Sequence, residues 1–267
     1  MPQTINTNVS SLNAQRNLNT SQSSLATSMQ RLSSGLRVNS SKDDAAGLAI
    51  ADRMNAQIRG IAVAIRNAND GISLAQTAEG ALATVTDALQ RMRELAVQAA
   101  NGSNGAGDLA NLNAEYQELS SEVTRVADQT KFNGKAIIGS GAGTQTFQVG
   151  ANVGDTLTVT TSGITTVAGD LLSAANANAA ITALDTKLDA ITTDRAKYGA
   201  AMSRFSFAVS NLQITGENQT AARGRIMDAD FAAETANLAR AQILQQAGTA
   251  MVAQANQQPQ TVLQLLK

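Results

Sequence analysis

Residues 54–99 read MNAQIRGIAVAIRNANDGISLAQTAEGALATVTDALQRMRELAVQA, and apolar residues recur along this stretch at a helical spacing. Steps of four and three residues alternate, which is typical of the heptad seam of a coiled coil. The seam positions are Met54, Ile58, Ile61, Ile65, Ala68, Ile72, Ala75, Ala78, Leu82, Val85, Leu89, Met92, Ala96 and Ala99. One slip occurs from Ile72 to Ala78, where two three-residue steps adjoin beside Gly71 and Gly80. The pattern predicts a helix from about residue 42 to about residue 100, with Ser41 as its N-cap.

The composition favours helices that pack closely against one another. Hydrophobic residues make up 43% of the 267 residues, whereas aromatic residues make up only 3% and Trp is absent. Small apolar side chains such as Ala allow two helices to approach closely. Pro occurs only at Pro2 and Pro259, so long helices can run without interruption.

Two further helices and one β-hairpin follow the predicted helix at residues 42–100. Apolar residues at three- and four-residue spacing predict a helix over residues 108–130. Alternation of apolar and polar residues then predicts a β-hairpin at about residues 144–160. Helical spacing returns from about residue 174, and Gly216 is the predicted C-cap of that helix.

Both ends of the chain carry an apolar stripe on an otherwise polar and weakly charged surface. Such a stripe must meet another helix, because each end is too poor in apolar residues to be a stable helix alone. The stripe residues are Ile5, Leu12, Leu25, Met29 and Leu32 near the N-terminus, and Phe231, Leu238, Val252, Val262 and Leu266 near the C-terminus. The spacing leaves two alternatives open: the ends pair within one chain, or they order only when chains assemble. We predict a mainly α fold, a long coiled-coil-like helical rod with a small β-hairpin, plus a terminal two-helix coiled coil.

The chain lacks the residues of most enzyme sites. It contains no Cys and no His, which excludes thiol nucleophiles, disulfides, the usual zinc sites and His-based acid–base catalysis. Asp43, Asp44, Asp228 and Asp230 could be read as a carboxylate cluster for a metal ion or for acid–base chemistry. Two of them stand at each predicted helix start, however, where a carboxylate interacts favourably with the helix dipole. We therefore expect capping roles, no enzyme activity and no metal or cofactor.

Charge and hydropathy argue against two classes of partner. The net charge is −1, from 20 Lys and Arg against 21 Asp and Glu, so no basic excess is available for nucleic acid. No apolar run approaches the roughly 18 residues of a membrane span. The N-terminal residues have neither the basic region nor the apolar core of a secretory signal peptide. On these grounds alone the chain would be placed in the cytoplasm.

Six segments, in this order along the chain, carry a family resemblance. They are RLSSGLRVNSSKDDAAGLAIADRM at residues 31–54, QRMRELAVQAANG at 90–102, KFNGKAI at 131–137, FQVGANVGDTL at 147–157, GRIMDADFAAET at 224–235 and VLQLLK at 262–267. Together they span nearly the whole chain. In this order they closely resemble the corresponding segments of the bacterial flagellins.

The resemblance implies a structural subunit that polymerises into the flagellar filament used for swimming, with a hook–filament junction protein as the alternative. Residues 1–41 and 226–267 would be inner-core helices that line the filament channel and pack on neighbouring subunits through the stripe residues named above. Residues 42–225 would form an outer-core helical rod with the hairpin, and the variable outer domains of longer members would be absent. A coiled-coil adaptor protein is the alternative from a different functional class.

The resemblance also implies a location and a set of partners. Family members leave the cell through the flagellar type III export system, without a secretory signal peptide, so extracellular replaces cytoplasmic. The implied partners are other copies of the chain, an export chaperone, and the cap and junction proteins of the flagellum.

The segment at residues 90–95 resembles the stretch by which many flagellins engage the mammalian innate receptor for flagellin. By motif match, Arg91, Leu95 and Glu115 would form that contact. The alternative is that these residues make subunit–subunit contacts and helix-face ion pairs, such as Asp87 with Arg91 one turn apart. A contact between axial neighbours in the filament is the preferred native role.

Overall fold

The computed structural model describes residues 7–161, 163–165 and 167–264, with side-chain surroundings described as far as Gln258. The helices in these ranges are α1 (Val9–Ser34), α2 (Ala45–Ala99), α3 (Ala106–Gln129), α4 (Ala174–Met227) and α5 (Phe231–Gln264). The strands form two antiparallel pairs, β1 (Lys131–Phe132) with β2 (Lys135–Ala136) and β3 (Thr144–Gln148) with β4 (Thr156–Thr160). The predicted mainly α fold with a small hairpin is confirmed.

The chain divides into two compact units. Unit 1 combines Met1–Ala56 with Gln219–Lys267, and unit 2 comprises Gln57–Asn218. The division falls inside α2 and α4. The inner-core and outer-core ranges that the resemblance implies, with boundaries near residues 41 and 226, stay a prediction. A long helix can change its packing partners while its backbone hydrogen bonding continues, so a unit boundary need not coincide with a helix end.

The core of unit 2 is built on the predicted seam of α2. The buried seam positions, each 5% exposed or less, are Ile61, Ala68, Ala75, Ala78, Leu82, Val85, Leu89, Met92, Ala96 and Ala99. Tyr116 and Val123 of α3 and Leu184, Tyr198 and Phe205 of α4 pack into the same core, each 1% exposed or less. The heptad prediction for α2 is therefore confirmed over this range.

The slip in the heptad coincides with a close aromatic contact. Leu74 and Ala75 are both buried there, at 4% and 0% exposure, as the seam shifts around the helix. A Cβ built on Gly71 would lie 2.6 Å from Cζ of Phe205. Phe147 of β3 meets the same ring edge-on, with ring centroids 5.5 Å apart and planes at 87°. Phe205 thus fills the space that Gly71 leaves and holds the hairpin against the helices.

The β3–β4 hairpin forms where the alternation predicts it. Phe147 stands opposite Leu157 in the antiparallel register. The connecting loop is closed by Asp155, whose carboxylate accepts a hydrogen bond from the Asn152 backbone N–H at 3.1 Å. The Asp155 carbonyl also accepts from the Val149 N–H at 2.8 Å. The loop is therefore a hydrogen-bonded turn.

Two predicted helix boundaries are wrong. The cap of α2 is Asp44 and not Ser41, since the Asp44 carboxylate accepts a hydrogen bond from the Gly47 N–H at 2.8 Å. The predicted C-cap at Gly216 does not end α4, which continues to Met227. One glycine in a helix interior costs only about 1 kcal/mol relative to Ala, which the surrounding helix can offset.

The chain reverses cleanly at the end of α1 and at the start of α5. Gly35 ends α1 in the left-handed conformation, with φ 71°, which glycine adopts without strain. Leu36 pairs with Asp228 in an isolated antiparallel bridge. Asp230 caps α5 as predicted, and its carboxylate accepts a hydrogen bond from the Ala232 N–H at 2.9 Å.

Unit 1 is built on the antiparallel pair of α1 and α5, which confirms the predicted terminal two-helix coiled coil. Three contacts set the register, namely Ser11 with Asn256, Leu18 with Gly248 and Arg31 with Glu234. Each step along α1 is matched by a nearly equal step back along α5, so the register changes little along the pair. The Ser11 hydroxyl donates to Oδ1 of Asn256 at 2.7 Å, which pins one end.

The seam between α1 and α5 alternates three- and four-residue steps on both helices. Its buried or half-buried positions are Ser11, Ala14, Leu18, Ser21, Leu25, Ser28 and Leu32 on α1, and Glu234, Leu238, Ala241, Gln245, Gly248, Val252 and Ala255 on α5. More than half of these side chains are polar or smaller than Val. A Cβ built on Gly248 would lie 3.1 Å from Cδ1 of Leu18, so glycine at this position gives the leucine its space.

We predict that Phe205→Ala and Phe207→Ala have very different consequences for stability. Phe205 is 1% exposed and contacts Gly71 and Phe147, whereas Phe207, two residues later, is 76% exposed. Removing the buried ring should cost about 3–5 kcal/mol of unfolding free energy. Removing the exposed ring should change it by about 0.5 kcal/mol or less. Denaturant unfolding followed by circular dichroism measures both, and equal losses would contradict the placement of the two rings.

A second prediction concerns the seam of unit 1. Gly248→Leu should overpack against Leu18 and cost about 1–3 kcal/mol. Ala247→Leu is the matched control, because Ala247 is exposed beside the seam and has room for the same added side chain. Hydrogen exchange of the α1 and α5 amides should accelerate in the first variant only. Unchanged exchange in Gly248→Leu would show that the close approach of the two helices is not required.

Candidate interaction surfaces

Seven large apolar side chains spaced along the α1–α5 pair are left exposed, and we call them together the exposed row. Its members, each more than half exposed, are Val9, Leu12 and Met29 on α1 and Phe231, Ile243, Leu244 and Met251 on α5, with exposed fractions from 51% to 65%. None of them occupies a seam position. Single exposed apolar residues are ordinary. Seven on one helix pair leave apolar area on more than one side of it, since consecutive residues such as Ile243 and Leu244 lie about 100° apart around a helix.

The structure divides the predicted stripe residues into two sets. Leu12, Met29 and Phe231 lie on the exposed row, where they are available to a neighbour. Leu25, Leu32, Leu238 and Val252 follow the seam and are half-buried within the chain itself, and their predicted contact with another subunit stays a prediction. Ile5 and Leu266 lie outside the described residues, and the Val262 side chain lies beyond the described side chains.

The exposed row contains residues that the seven-residue count does not reach. Ile243, Leu244 and Met251 fall between the steps of the row that starts at Phe231, so a search for one stripe omits them. The signal that could have found two of them is a second seven-residue spacing on α5, from Leu244 to Met251.

A polar groove runs beside the seam of unit 1. It has a volume of about 440 Å³ and is lined by hydroxyl side chains of α1 together with Arg31, Glu234 and Arg240. Glu234 is only 7% exposed, and its Oε2 lies 3.9 Å from Nη1 of Arg31. The Arg31 Nε is buried without a hydrogen-bond partner, which costs free energy. The sequence pattern does not indicate this pair, because its members stand at opposite ends of the chain.

Arg91 and Glu115 meet on the surface of unit 2. Nε and Nη2 of Arg91 both donate to Oε1 of Glu115, at 2.9 and 2.8 Å, and Nη1 donates to Glu94 at 3.0 Å. Hydrogen bonding to Glu115, and then to Glu94, raises the pKa of the Arg91 guanidinium. The predicted ion pair of Asp87 with Arg91 is wrong, since the guanidinium is directed at these two glutamates instead. Two of the predicted contact residues, Arg91 and Glu115, thus belong to one ionic cluster between α2 and α3.

Leu95 does not share that surface. It is 1% exposed and packs in the core of unit 2. The surface contact predicted for Leu95 is therefore corrected, because a side chain that is fully buried in its own subunit offers no area to another molecule. The spacing from Arg91 to Leu95 is one helical turn, but the α2 helix is covered on its Leu95 side by the other helices of the unit.

Two further ion pairs connect α2 with α4. Nε of Arg93 donates to Oδ1 of Asp185 at 2.6 Å, and this bond lowers the pKa of the Asp185 carboxyl. Arg195 lies among the apolar positions of α4 and donates from Nε to Oε1 of Glu79 at 2.8 Å. A glutamate on the facing helix therefore accounts for an arginine at a seam position.

Three of the four aspartates that could suggest a metal site have hydrogen-bonded partners nearby in the chain. The Asp43 carboxylate accepts hydrogen bonds from the backbone N–H groups of Asn39 and Ser40, and these bonds lower its pKa. Asp44 and Asp230 cap α2 and α5. Among the described residues, no three acidic, His or Cys side chains come together as a metal site would require. Within the same residues no helix has the length and hydropathy to cross a membrane.

Known proteins match the chain over almost its full length. The description "Bacterial flagellin N-terminal helical region" matches residues 5–146, and "Bacterial flagellin C-terminal helical region" matches residues 181–266. A flagellin of Halalkalibacterium halodurans is 47% identical over 270 residues, which covers 98% of this chain and 99% of the relative. Flagellin D of Vibrio anguillarum is 34% identical over 372 residues, with 98% and 99% covered.

The lengths of these alignments show how the chain differs from its longer relatives. The Vibrio alignment exceeds the 267 residues of this chain while covering nearly all of both proteins, so that relative holds additional residues between matching ends. The crystal structure of Bacillus cereus flagellin is 34% identical with a TM-score of 0.52, and covers 55% of this chain and 88% of that one. With the paired terminal helices and the α2–α4 core described above, these matches show that the chain belongs to the bacterial flagellin family, in a short form.

Proposed function

We propose that this chain is a structural subunit that polymerises into the bacterial flagellar filament used for swimming. The observation that supports the proposal most is the exposed row of the α1–α5 pair, which consists of seven apolar side chains that the fold of the single chain leaves exposed. A subunit that packs its terminal helices on neighbours needs such a row. The family match supplies the kind of neighbour, since flagellins are filament proteins.

The two alternatives for the chain ends are compatible with each other. The seam joins α1 to α5 within one chain, and the exposed row is free to meet other chains. Burial of apolar surface contributes about 25 cal/mol per Å². This gain would offset an ordering cost of roughly 1–2 kcal/mol per residue if the ends fold fully only when a subunit joins the filament. In the filament, residues 1–41 and 226–267 would line the channel, and residues 42–225 would lie outside them.

The family suggests the route by which the subunit reaches its place. Flagellin filaments are extracellular, and we expect export of the unfolded chain through the flagellar type III system. An export chaperone, the filament cap and the junction proteins would be transient or terminal partners. The junction-protein alternative for the chain itself is not favoured, because relatives that match nearly all of it carry flagellin names. A coiled-coil adaptor protein is disfavoured on the same ground.

The cluster of Arg91 and Glu115 is a second candidate contact. Both members are about half exposed, and they present a guanidinium paired with a carboxylate at 2.8 Å. Such a pair can serve the contact between axial neighbours and, in a host, recognition by the innate receptor for flagellin. Leu95 would support this surface only indirectly, through the packing of α2.

Removal of the exposed row should weaken filament growth without unfolding the subunit. Leu12→Ser combined with Met29→Ser should raise the critical concentration for elongation of short filament seeds roughly tenfold to a hundredfold. Each side chain is already about half buried, so the two together gain about the 1.5–3 kcal/mol of one full burial. Asn13→Ser with Gln30→Ser is the control at neighbouring exposed polar positions. Electron microscopy of seeded elongation measures the effect. Equal growth of both double variants would refute the role of the row.

Recognition by the receptor should require the arginine at position 91, and an exposed arginine elsewhere on the same unit should not matter. Arg91→Ala should reduce receptor signalling and leave thermal unfolding nearly unchanged, because exposed ion pairs contribute little to stability. Arg125→Ala is the matched control, since its side chain is 53% exposed against 51% for Arg91 and is also paired with a glutamate. If Arg91→Ala does not change signalling, the receptor contact is refuted. The proposed filament function would not be affected by that result.

A further inference from the structure

The chain contains three Asn-Gly sequences, at residues 101–102, 104–105 and 133–134, and all of them lie outside the helices and strands. Asparagine before glycine is prone to lose its side-chain amide, because glycine has no side chain to obstruct a reaction at its own nitrogen. The glycine nitrogen gives up its proton to the solvent and bonds to Cγ of the asparagine, while the bond from Cγ to Nδ2 breaks. Nδ2 takes up a proton and leaves as ammonia, and water then opens the cyclic succinimide to aspartate or isoaspartate. The three sites share this chemistry, but their surroundings differ.

The Asn104–Gly105 site is held at both of its reacting groups. Nδ2 of Asn104 donates to the Gln98 carbonyl at 2.6 Å, which keeps the side chain at the end of α2. The Gly105 N–H donates to Oδ2 of Asp108 at 3.1 Å. The negative charge of that carboxylate disfavours loss of the amide proton. Reaction at Asn104 therefore requires that these hydrogen bonds open first.

The Asn133–Gly134 site is protected by its backbone conformation. Asn133 is left-handed, with φ 48°, in the turn between the paired residues Phe132 and Lys135. In this conformation the Cβ of a residue lies almost opposite the nitrogen of the next residue across the Cα–C bond. Cγ of Asn133 is therefore directed away from the Gly134 nitrogen for as long as the β1–β2 pair keeps the turn in this form.

The Asn101–Gly102 site has neither restraint. Both residues are exposed, and among the described residues the Gly102 N–H has no hydrogen-bond acceptor. A Cβ built on Gly102 would meet nothing within 4 Å, so the reacting nitrogen lies in open space. The Ser103 N–H approaches Oδ1 of Asn101 at 3.5 Å, and this oxygen is the one on which negative charge develops when Cγ is attacked. We propose that Asn101 is a site of spontaneous deamidation in the folded chain, and that the fold protects Asn104 and Asn133.

The product changes the connection between α2 and α3. A carboxylate at residue 101 lies just beyond the C-terminal end of α2 at Ala99, where the helix dipole disfavours negative charge. Isoaspartate also adds a CH₂ group to the main chain. It makes the Asn101 carbonyl, which accepts a hydrogen bond from the Asn104 N–H at 3.3 Å, part of a carboxylate. The modification therefore adds charge to this connection and loosens its turn.

Peptide mapping of the aged chain tests the proposal. The purified full-length monomer is kept in mildly alkaline buffer, tandem mass spectrometry follows the deamidated fraction at each site, and isoaspartyl methyltransferase labelling measures isoaspartate. In the folded chain Asn101 should deamidate at least about tenfold faster than Asn104 or Asn133, because those two sites react only after local opening. In denaturant the three sites should react at similar rates, since the same dipeptide is then free of the fold.

Three variants give matched controls. Asn101→Gln should remove most of the isoaspartate from the folded chain, because glutamine forms the corresponding larger ring slowly, and Asn104→Gln should leave the amount nearly unchanged. Asp108→Ala frees the Gly105 N–H, so it should accelerate deamidation of Asn104 severalfold and leave Asn101 as it was.

The opposite results would overturn the proposal. Equal deamidation of all three sites in the folded chain, or faster reaction at Asn104 or Asn133, would show that the fold does not select Asn101. Deamidation of Asn101 that is more than about tenfold slower in the folded chain than in denaturant would show that this site is protected as well. The measurement uses the monomer, so its outcome does not depend on the proposed function.

Discussion

Close approach of helices along seams of small side chains is the constraint on which the rest of this structure depends. Ala64, Ala68, Ala75, Ala78 and Ala96 are buried in α2 at 1% exposure or less. At such positions the distance between helix axes is set by methyl groups, so any larger side chain must find a complementary space. Phe205 finds it at Gly71, and Leu18 finds it at Gly248. The small residues of the seams therefore determine where the few large side chains can pack.

Because the seams are built from small side chains, larger apolar residues remain available at the surface. In α5 the seam uses Leu238, Ala241 and Gly248, while Ile243 and Met251 remain exposed. A thick globular core would need all the large apolar residues of the chain, but a seam of alanines does not. A chain with 3% aromatic residues can therefore complete its own fold and still present apolar surface to neighbours. For a polymer subunit, the exposed apolar surface is part of the function.

Residue spacing predicts only those features of the fold that the local geometry of a helix, strand or turn determines. The α2 seam, the β3–β4 hairpin and the Asp230 cap follow from spacing and from residue type within a few positions, and the structure has them. Gly216 shows the limit, because a packed helix can offset the cost of one glycine. Leu95 shows another, since one face of a helix can be covered by elements from distant parts of the sequence. Arg91 pairs with a glutamate 24 residues away and not with the aspartate one turn before it, and no spacing rule contains that information.

The polar residues in the α1–α5 seam set the register of the two helices but contribute little to the stability of the pair. Ser11 with Asn256 and Arg31 with Glu234 lie near opposite ends of the pair, and a shift of register would leave both sets of polar groups without partners. Polar groups at seam positions are known to select register at a cost in stability. The pair is thus aligned by polar contacts, and the missing stability has to come from apolar burial elsewhere. The exposed row can supply that burial, so assembly would stabilise a helix pair whose alignment is already set.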